Sequence, residues 1–207
     1  MYGRYDAVVC DLLSALLDSW ALWRRVAGGE EEGRRWRVAY LERVSAGEPY
    51  RPFLDVVGEA AGDVGLPTAL AHELGRRWDE LEPWPEVPDI LARVEQPIAV
   101  VTNCSEELGR RAAARVGVEL AVVASTERAG YYKPHPETYG LALRELGVAP
   151  ERALYVAGAA YDVAGAAAAG MPVLWHDRAR LRDDGEVPAL AVIDSLAPLL
   201  DHLDNAR

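Results

Sequence analysis

Val8-Val9-Cys10-Asp11-Leu12-Leu13-Ser14-Ala15-Leu16-Leu17-Asp18-Ser19 is the stretch from which the rest of the chain can be read. Ala7–Cys10 is a short apolar run that stops at an acidic residue, the pattern of a strand buried on both faces. Runs of the same kind recur at Ile98–Val101, Ala121–Ala124, Leu154–Ala157 and Val173–Trp175, with a weaker sixth at Leu190–Ile193. Helical patterns lie between them at Glu106–Val116, Pro136–Leu146, Val163–Ala169 and Leu196–Leu203. Strand alternating with helix predicts an α/β fold with a Rossmann-like parallel sheet. The alanines of Ala164–Gly170 predict a helix packed closely against a neighbour.

One interval breaks the rhythm. From Leu16 to Trp84 the apolar residues follow helical spacing only, at Trp20–Val26, Gly33–Val44, Phe53–Ala61 and Ala69–Leu81. Gly47-Glu48-Pro49 and Gly65-Leu66-Pro67 punctuate it. This predicts a helical cap over residues 16–84, inserted after the first strand, with Glu82-Pro83-Trp84-Pro85 as the return. Residues 1–15 and 85–207 would then form the core domain, resuming with a helix at Val87–Val94.

The gross features narrow the classes of partner. Of 207 residues, 50% are apolar and 27% charged, enough for one well-packed core. A net charge of −11 would repel nucleic acid and anionic membranes, and no apolar stretch approaches a membrane span. Cys10 and Cys104 stand in no CxxC or zinc spacing, and no secretory h-region precedes Asp11, so a cytoplasmic location is expected. His72, His135, His176 and His202 have no pairwise zinc spacing, and neither GxxxxGK[ST] nor GxGxxG occurs.

Ligands of open α/β sheets bind at the carboxyl ends of the strands. Those ends carry Asp11, Thr102-Asn103, Lys133 in the loop after the third strand, and Asp162. Singly, each has a plain structural reading. Asp11 or Asp162 can cap the helix that follows, Asn103 with Glu106 can form a variant capping box, and Lys133 can be a solvated charge. Together they form a constellation in which a carboxylate beside an ammonium stays ionised and can act as a nucleophile. Lys133 is the only lysine in the chain.

In order and spacing these motifs resemble the haloacid dehalogenase superfamily over almost the whole chain. The stretch from Val8 to Ser19 is similar to its first motif, which makes Asp11 the nucleophile. Val100-Val101-Thr102-Asn103 resembles the second, whose hydroxyl binds the substrate. Tyr132-Lys133-Pro134-His135-Pro136 resembles the third, whose lysine steadies the nucleophile. Leu154–Gly170 resembles the fourth motif and the helix after it.

Departures from the pattern bear on the chemistry. Phosphatases of the superfamily carry a general-acid aspartate two residues after the nucleophile, where this chain has Leu13. Their Mg²⁺-binding acid in the fourth motif falls at Gly158, and a cation held by Asp11 and Asp162 alone would be weakly bound. No cofactor is therefore expected. The 2-haloacid dehalogenase branch dispenses with both groups. Trp36-Arg37 followed by Tyr40-Leu41 resembles its cap segment, in which Arg37 faces the leaving halide, although Arg37 is equally readable as a solvated helix arginine beside Arg34, Arg35 and Arg43. Asn103 corresponds to a residue lining the halide site, and Tyr139 to the branch's active-site tyrosine. The branch also carries a threonine four residues after the nucleophile and a serine and asparagine in the fourth motif that serve the hydrolytic water. Those positions are Ala15, Ala157 and Ala159 here. A phosphonatase would need a cap lysine, and residues 16–84 contain none.

The expectation is a metal-independent hydrolase that cleaves a carbon–halogen or similar bond in a small anionic substrate, a carboxylate, with Asp11, Lys133 and Asp162 catalytic and Thr102, Asn103, Arg37 and Tyr139 binding substrate. Nucleic acid and membrane are not expected partners, and a homodimer is the one protein contact left open. The alternatives are a degenerate binding or regulatory protein of the same fold, favoured by the three alanines, and a phosphatase. The cap tryptophans Trp20, Trp23, Trp36 and Trp78 are expected to pack between helices.

Overall fold

The computed structural model describes residues 5–180 and 188–204, so residues 1–4, 181–187 and 205–207 of the expected core domain lie outside the described residues. Strands β1 (Ala7–Asp11), β2 (Ile98–Thr102), β3 (Val122–Ser125), β4 (Ala153–Ala157), β5 (Val173–His176) and β6 (Ala191–Ile193) form one sheet. Its order is β3-β2-β1-β4-β5-β6, and every pairing is parallel. Cys10 stands level with Val100 on one side and Val156 on the other. The strand order reverses at β1, so the crevice beyond its carboxyl end is where a ligand is placed in folds of this type. Asp11 is the last residue of that strand.

Between β1 and β2 the chain forms α1 (Ser19–Ala27), α2 (Glu30–Val44), α3 (Phe53–Asp63) and α4 (Leu70–Arg76). α1 begins where the Asp18 carboxylate accepts from the Ala21 N–H, and it ends at Gly28, whose φ of +83° suits a residue without a side chain. The expected helix over Ala69–Leu81 stops early. Trp78 turns in to donate its indole N–H to the Leu108 carbonyl, and residues Trp78–Glu80 become a single 3₁₀ turn. The way out and the way back run side by side: the Asp18 N–H donates to the Glu82 carbonyl, and the Trp84 N–H donates to the Leu16 carbonyl.

α5 (Val87–Leu91), α6 (Glu106–Ala113) and α10 (Pro198–Asp204) share one face of the sheet with the inserted helices, through Val8, Cys10, Val100 and Val156. After the short α7 (Thr126–Ala129), α8 (Pro136–Leu146) and α9 (Ala160–Ala168) cover the other face over Val9, Val101 and Tyr155. The close approach expected of the alanine-rich segment is real. A Cβ at Gly165 of α9 would stand 2.5 Å from both Pro134 Cβ and the Tyr139 hydroxyl, so glycine there lets the Lys133 loop sit against the helix. Among the described residues no helix is long and apolar enough to cross a membrane.

Candidate active site

Asp11 leads directly from β1 into a single π-helical turn, Leu12–Leu16. That turn aims the N–H groups of Ser14 and Ala15 at Asp11 Oδ2, at 2.8 and 3.0 Å. The other oxygen, Oδ1, accepts from Lys133 Nζ at 2.7 Å. The capping and the functional readings of Asp11 are therefore two oxygens of one carboxylate.

Lys133 is fully enclosed and bridges two acids. Its Nζ donates to Asp162 Oδ2 at 3.0 Å as well as to Asp11. Asp162, in the first turn of α9, also accepts from the hydroxyls of Tyr139 (2.8 Å) and Tyr155 (3.0 Å) on Oδ1. Burial works to raise the Asp11 carboxyl, but the Lys133 charge and the three hydrogen bonds outweigh it and hold Asp11 below the ordinary carboxylate range. Asp162 goes the other way, because burial dominates and Asp11 adds repulsion. Burial would lower Lys133, yet the two carboxylates raise it well above an ordinary lysine. The site therefore holds an ionised carboxylate against a permanent ammonium at neutral pH.

Arg37 of α2 is 3% exposed, so it is not a solvated helix arginine, whereas Arg34 and Arg35 are exposed. Its guanidinium lies 4.5 Å from the Trp20 ring centroid and 5.5 Å from that of Trp23, and Nη2 donates to Ser14 Oγ at 3.0 Å. Its Nε is buried with no partner among the described residues. Trp20 and Trp23 thus hold a charge as well as packing, and Trp36 and Trp78 pack as expected, with their indole N–H groups on the carbonyls of Val57 and Leu108.

Asn103 ties the elements together. Its Oδ1 accepts the Lys133 N–H at 2.9 Å, its Nδ2 donates to Tyr161 Oη at 3.3 Å, and its carbonyl accepts Tyr40 Oη of α2 at 2.7 Å. Asp11, Leu13, Ser14, Arg37, Asn103 and Tyr161 line a cavity of about 20 Å³, walled otherwise by Trp23, Tyr40, Leu41 and Phe53. That is room for one water or one small group of atoms.

Two expected substrate contacts are not brought to this cavity. Thr102 is buried with its hydroxyl 3.4 Å from Cys104 Sγ, and it does not line the cavity. Thr102 is the last residue of β2 and Asn103 the first of the loop after it, and only Asn103 lines the cavity. Tyr139 stands behind Lys133 on α8 and holds Asp162. It makes no wall of the cavity. Sequence reasoning missed Ser14, Tyr155 and Tyr161. Tyr161 had a signal, an aromatic residue immediately before Asp162.

A divalent cation fits these residues poorly. A Cβ at Gly158 would stand 2.5 Å from Ser14 Cβ, 2.6 Å from Asp11 Oδ2 and 2.8 Å from the Ala15 nitrogen, so there is no room at that position for a metal-binding side chain. Both oxygens of Asp11 and both of Asp162 already accept hydrogen bonds, with the ammonium of Lys133 between them. Among the described residues no cluster of three or more His, Cys, Asp or Glu could hold a metal. At Asp11 and Asp162, where a cation would be only weakly held, the Lys133 ammonium already bridges the two carboxylates.

Over 139 residues the chain is 32% identical to haloacetate dehalogenase H-2 of Moraxella sp. (strain B), covering 63% of this chain and 62% of that protein. Over 182 residues it is 31% identical to phosphoserine phosphatase of Thermus thermophilus, covering 84% and 70% respectively. The structure of L-2-haloacid dehalogenase from Xanthobacter autotrophicus with chloropropionic acid covalently bound superposes with a TM-score of 0.82 over 98% of this chain and 100% of that one. At 23% identity, that match speaks for the fold alone. The sequence profile of the haloacid dehalogenase-like hydrolases matches residues 6–170, and the chain belongs to that family.

Proposed function

We propose that this hydrolase cleaves the carbon–halogen bond of a small 2-haloacid by covalent catalysis at Asp11, without a metal. The observation that carries the reading is the pairing of Asp11 with Lys133 at a small cavity whose wall has Leu13 where a general-acid carboxyl would stand. A departing halide needs no proton, whereas an alkoxide does.

Asp11 Oδ2 is enclosed by two backbone N–H groups and by Gly158, so Oδ1 is the attacking oxygen. It forms an ester bond to the substrate's second carbon while the carbon–halogen bond breaks and its electron pair leaves on the halide, beside Arg37 and Asn103. Water then adds to the ester carbonyl carbon of Asp11 and loses a proton to solvent. The charge that develops rests on Oδ2, where the Ser14 and Ala15 N–H groups are already aimed, and the collapse releases the hydroxyacid.

A second reading, a non-catalytic binding protein, is favoured by Ala15, Ala157 and Ala159, which offer the water no polar side chain. The phosphatase among the relatives supports a third, against which stand Leu13 and Gly158.

One experiment separates them. With 2-chloropropionate, intact-mass spectrometry should show a covalent adduct on Asp11 that accumulates because its hydrolysis is slow. Asp11→Asn should lack it at first, and chelator or millimolar Mg²⁺ should not alter its rate. A panel of short 2-haloacids giving neither adduct nor halide would sink this substrate class. Mg²⁺-dependent release of phosphate from small phosphomonoesters would establish the phosphatase.

A further inference from the structure

The wall of the cavity contains a hydroxyl that no step above uses. Tyr161 lines it beside Arg37, Asn103 and Asp11. The roles in its hydrogen bond are fixed by the neighbouring amide. Asn103 Oδ1 is committed to the Lys133 N–H, so Nδ2 is the end that meets Tyr161, and Tyr161 Oη is the acceptor. Among the described residues no acceptor is found for the tyrosine's own proton, whereas the hydroxyls of Tyr139 and Tyr155 both donate to Asp162. Burial and the nearby carboxylates of Asp162 and Asp11 push Tyr161 above its ordinary range despite Lys133 and Arg37, so the proton stays on the oxygen at neutral pH.

The second observation is the size and chemistry of the space. The cavity is about 20 Å³, and besides Asp11 its polar lining residues, Ser14, Arg37, Tyr40, Asn103 and Tyr161, all carry hydrogen-bond donors, with Arg37 Nε lacking a partner among the described residues. Donors gathered around a small volume suit a compact atom that acquires dense negative charge.

We propose that Tyr161 donates a hydrogen bond from Oη to the departing atom, which makes it a catalytic residue and fits the site to small, hard leaving atoms, fluoride and chloride above bromide. The inference rests on the dehalogenase reading of Asp11. As Asp11 Oδ1 bonds to carbon, the carbon–halogen electron pair leaves on the halide. Tyr161 keeps its proton and shares it with the halide. Fluoride, with the highest charge density, depends most on that donor. Bromide is large and polarisable and depends least.

The test is the rate of adduct formation on Asp11 with fluoroacetate, chloroacetate and bromoacetate, measured by quenched-flow intact-mass spectrometry for the wild-type protein and Tyr161→Phe. The variant keeps the ring and removes only the donor, and thermal melting confirms that both proteins are folded. Formation is expected to slow about tenfold or more with chloroacetate, further with fluoroacetate, and less with bromoacetate, with adduct decay unchanged. Equal slowing with all three, or an effect on decay alone, would overturn the role assigned to Tyr161 and leave the dehalogenase reading standing. Absence of any adduct in the wild-type protein would overturn both.

Discussion

Lys133 decides the state of the site. It is 1% exposed and held between two carboxylates at 2.7 and 3.0 Å, so deleting its charge leaves a pair of buried acids facing each other. In Lys133→Met both acids lose their counter-charge, and their folded values rise above the ordinary value of about 3.9 of the unfolded chain. A carboxylate raised in the folded state subtracts stability once the pH passes its unfolded value, and the loss grows until the pH passes its folded value. In the wild-type protein the lowered Asp11 does the opposite: it contributes stability above the ordinary carboxylate range and loses it as the pH falls through its depressed value. The variant should therefore be less stable by about 3 kcal/mol near pH 8, with the deficit shrinking toward about pH 5. Denaturant unfolding at the two pH values measures this, and a deficit independent of pH would mean that the lysine acts by packing alone. Adduct formation should be lost at both. How far a residue's role could be read beforehand depended on direction. Asp11 and Lys133 could be picked out because they stand at strand ends in the order of the motifs that the chain resembles. The turning of Thr102 toward Cys104, and of Tyr139 toward Asp162, depends on which face of a strand or helix meets the cleft, which spacing alone does not specify.

At the scale of elements, legibility followed the local punctuation. α8 runs from Pro136 to Leu146 as expected, because Pro136 sits in its first turn and Gly147, at φ +67°, ends it in the left-handed region. Strands β1 to β5 were readable because a parallel sheet covered on both faces leaves uninterrupted apolar runs, whereas β6, part-exposed at the sheet edge, left a weaker one. The helix over Ala69–Leu81 was not, since its break at Arg77 is set by where Trp78 finds a carbonyl on α6. α9 shows the reverse case, a helix whose start lacks the usual signal. Ala159 occupies its cap position with extended backbone (φ −152°, ψ 155°), and no side chain accepts from the first turn. Ala159→Asn should supply that acceptor and stabilise the protein by about 1 kcal/mol. The same position is one of the three from which the resemblance to 2-haloacid dehalogenases implies a polar group serving the water. The variant should thus also shorten the lifetime of the Asp11 adduct after a chase with buffer. A gain in stability with an unchanged lifetime would limit position 159 to capping.

For the molecule as a whole, the question is how a substrate reaches groups that are nearly sealed. Asp11 is 6% exposed, Arg37 3% and Lys133 1%, and the cavity holds little more than a water. Access therefore requires the inserted helices to lift from the ends of the strands. The paired segments at Asp18 with Glu82 and at Leu16 with Trp84 are where the chain can flex, since they are the two covalent links between the helices and the sheet. At the cavity itself two hydrogen bonds from α2 hold the closed arrangement, Arg37 Nη2 to Ser14 Oγ and the shorter one, at 2.7 Å, from Tyr40 Oη to the Asn103 carbonyl after β2. Tyr40→Phe removes that tie and keeps the ring against Trp23 and Phe53. A net hydrogen bond of about 1 kcal/mol shifts the opening equilibrium by roughly fivefold to tenfold. Hydrogen exchange at the Ser14 and Ala15 amides, which are protected only while they hold Asp11 Oδ2, should speed up by that factor, whereas the amides within β1 should keep their wild-type rates. In steady state, KM for a 2-haloacid should rise by a similar factor, because the closed form that grips the substrate is less populated. Faster exchange across β1 and the π-turn alike would mean that the substitution weakens the fold as a whole. Unchanged exchange at Ser14 and Ala15 would mean that Tyr40 does not govern the opening.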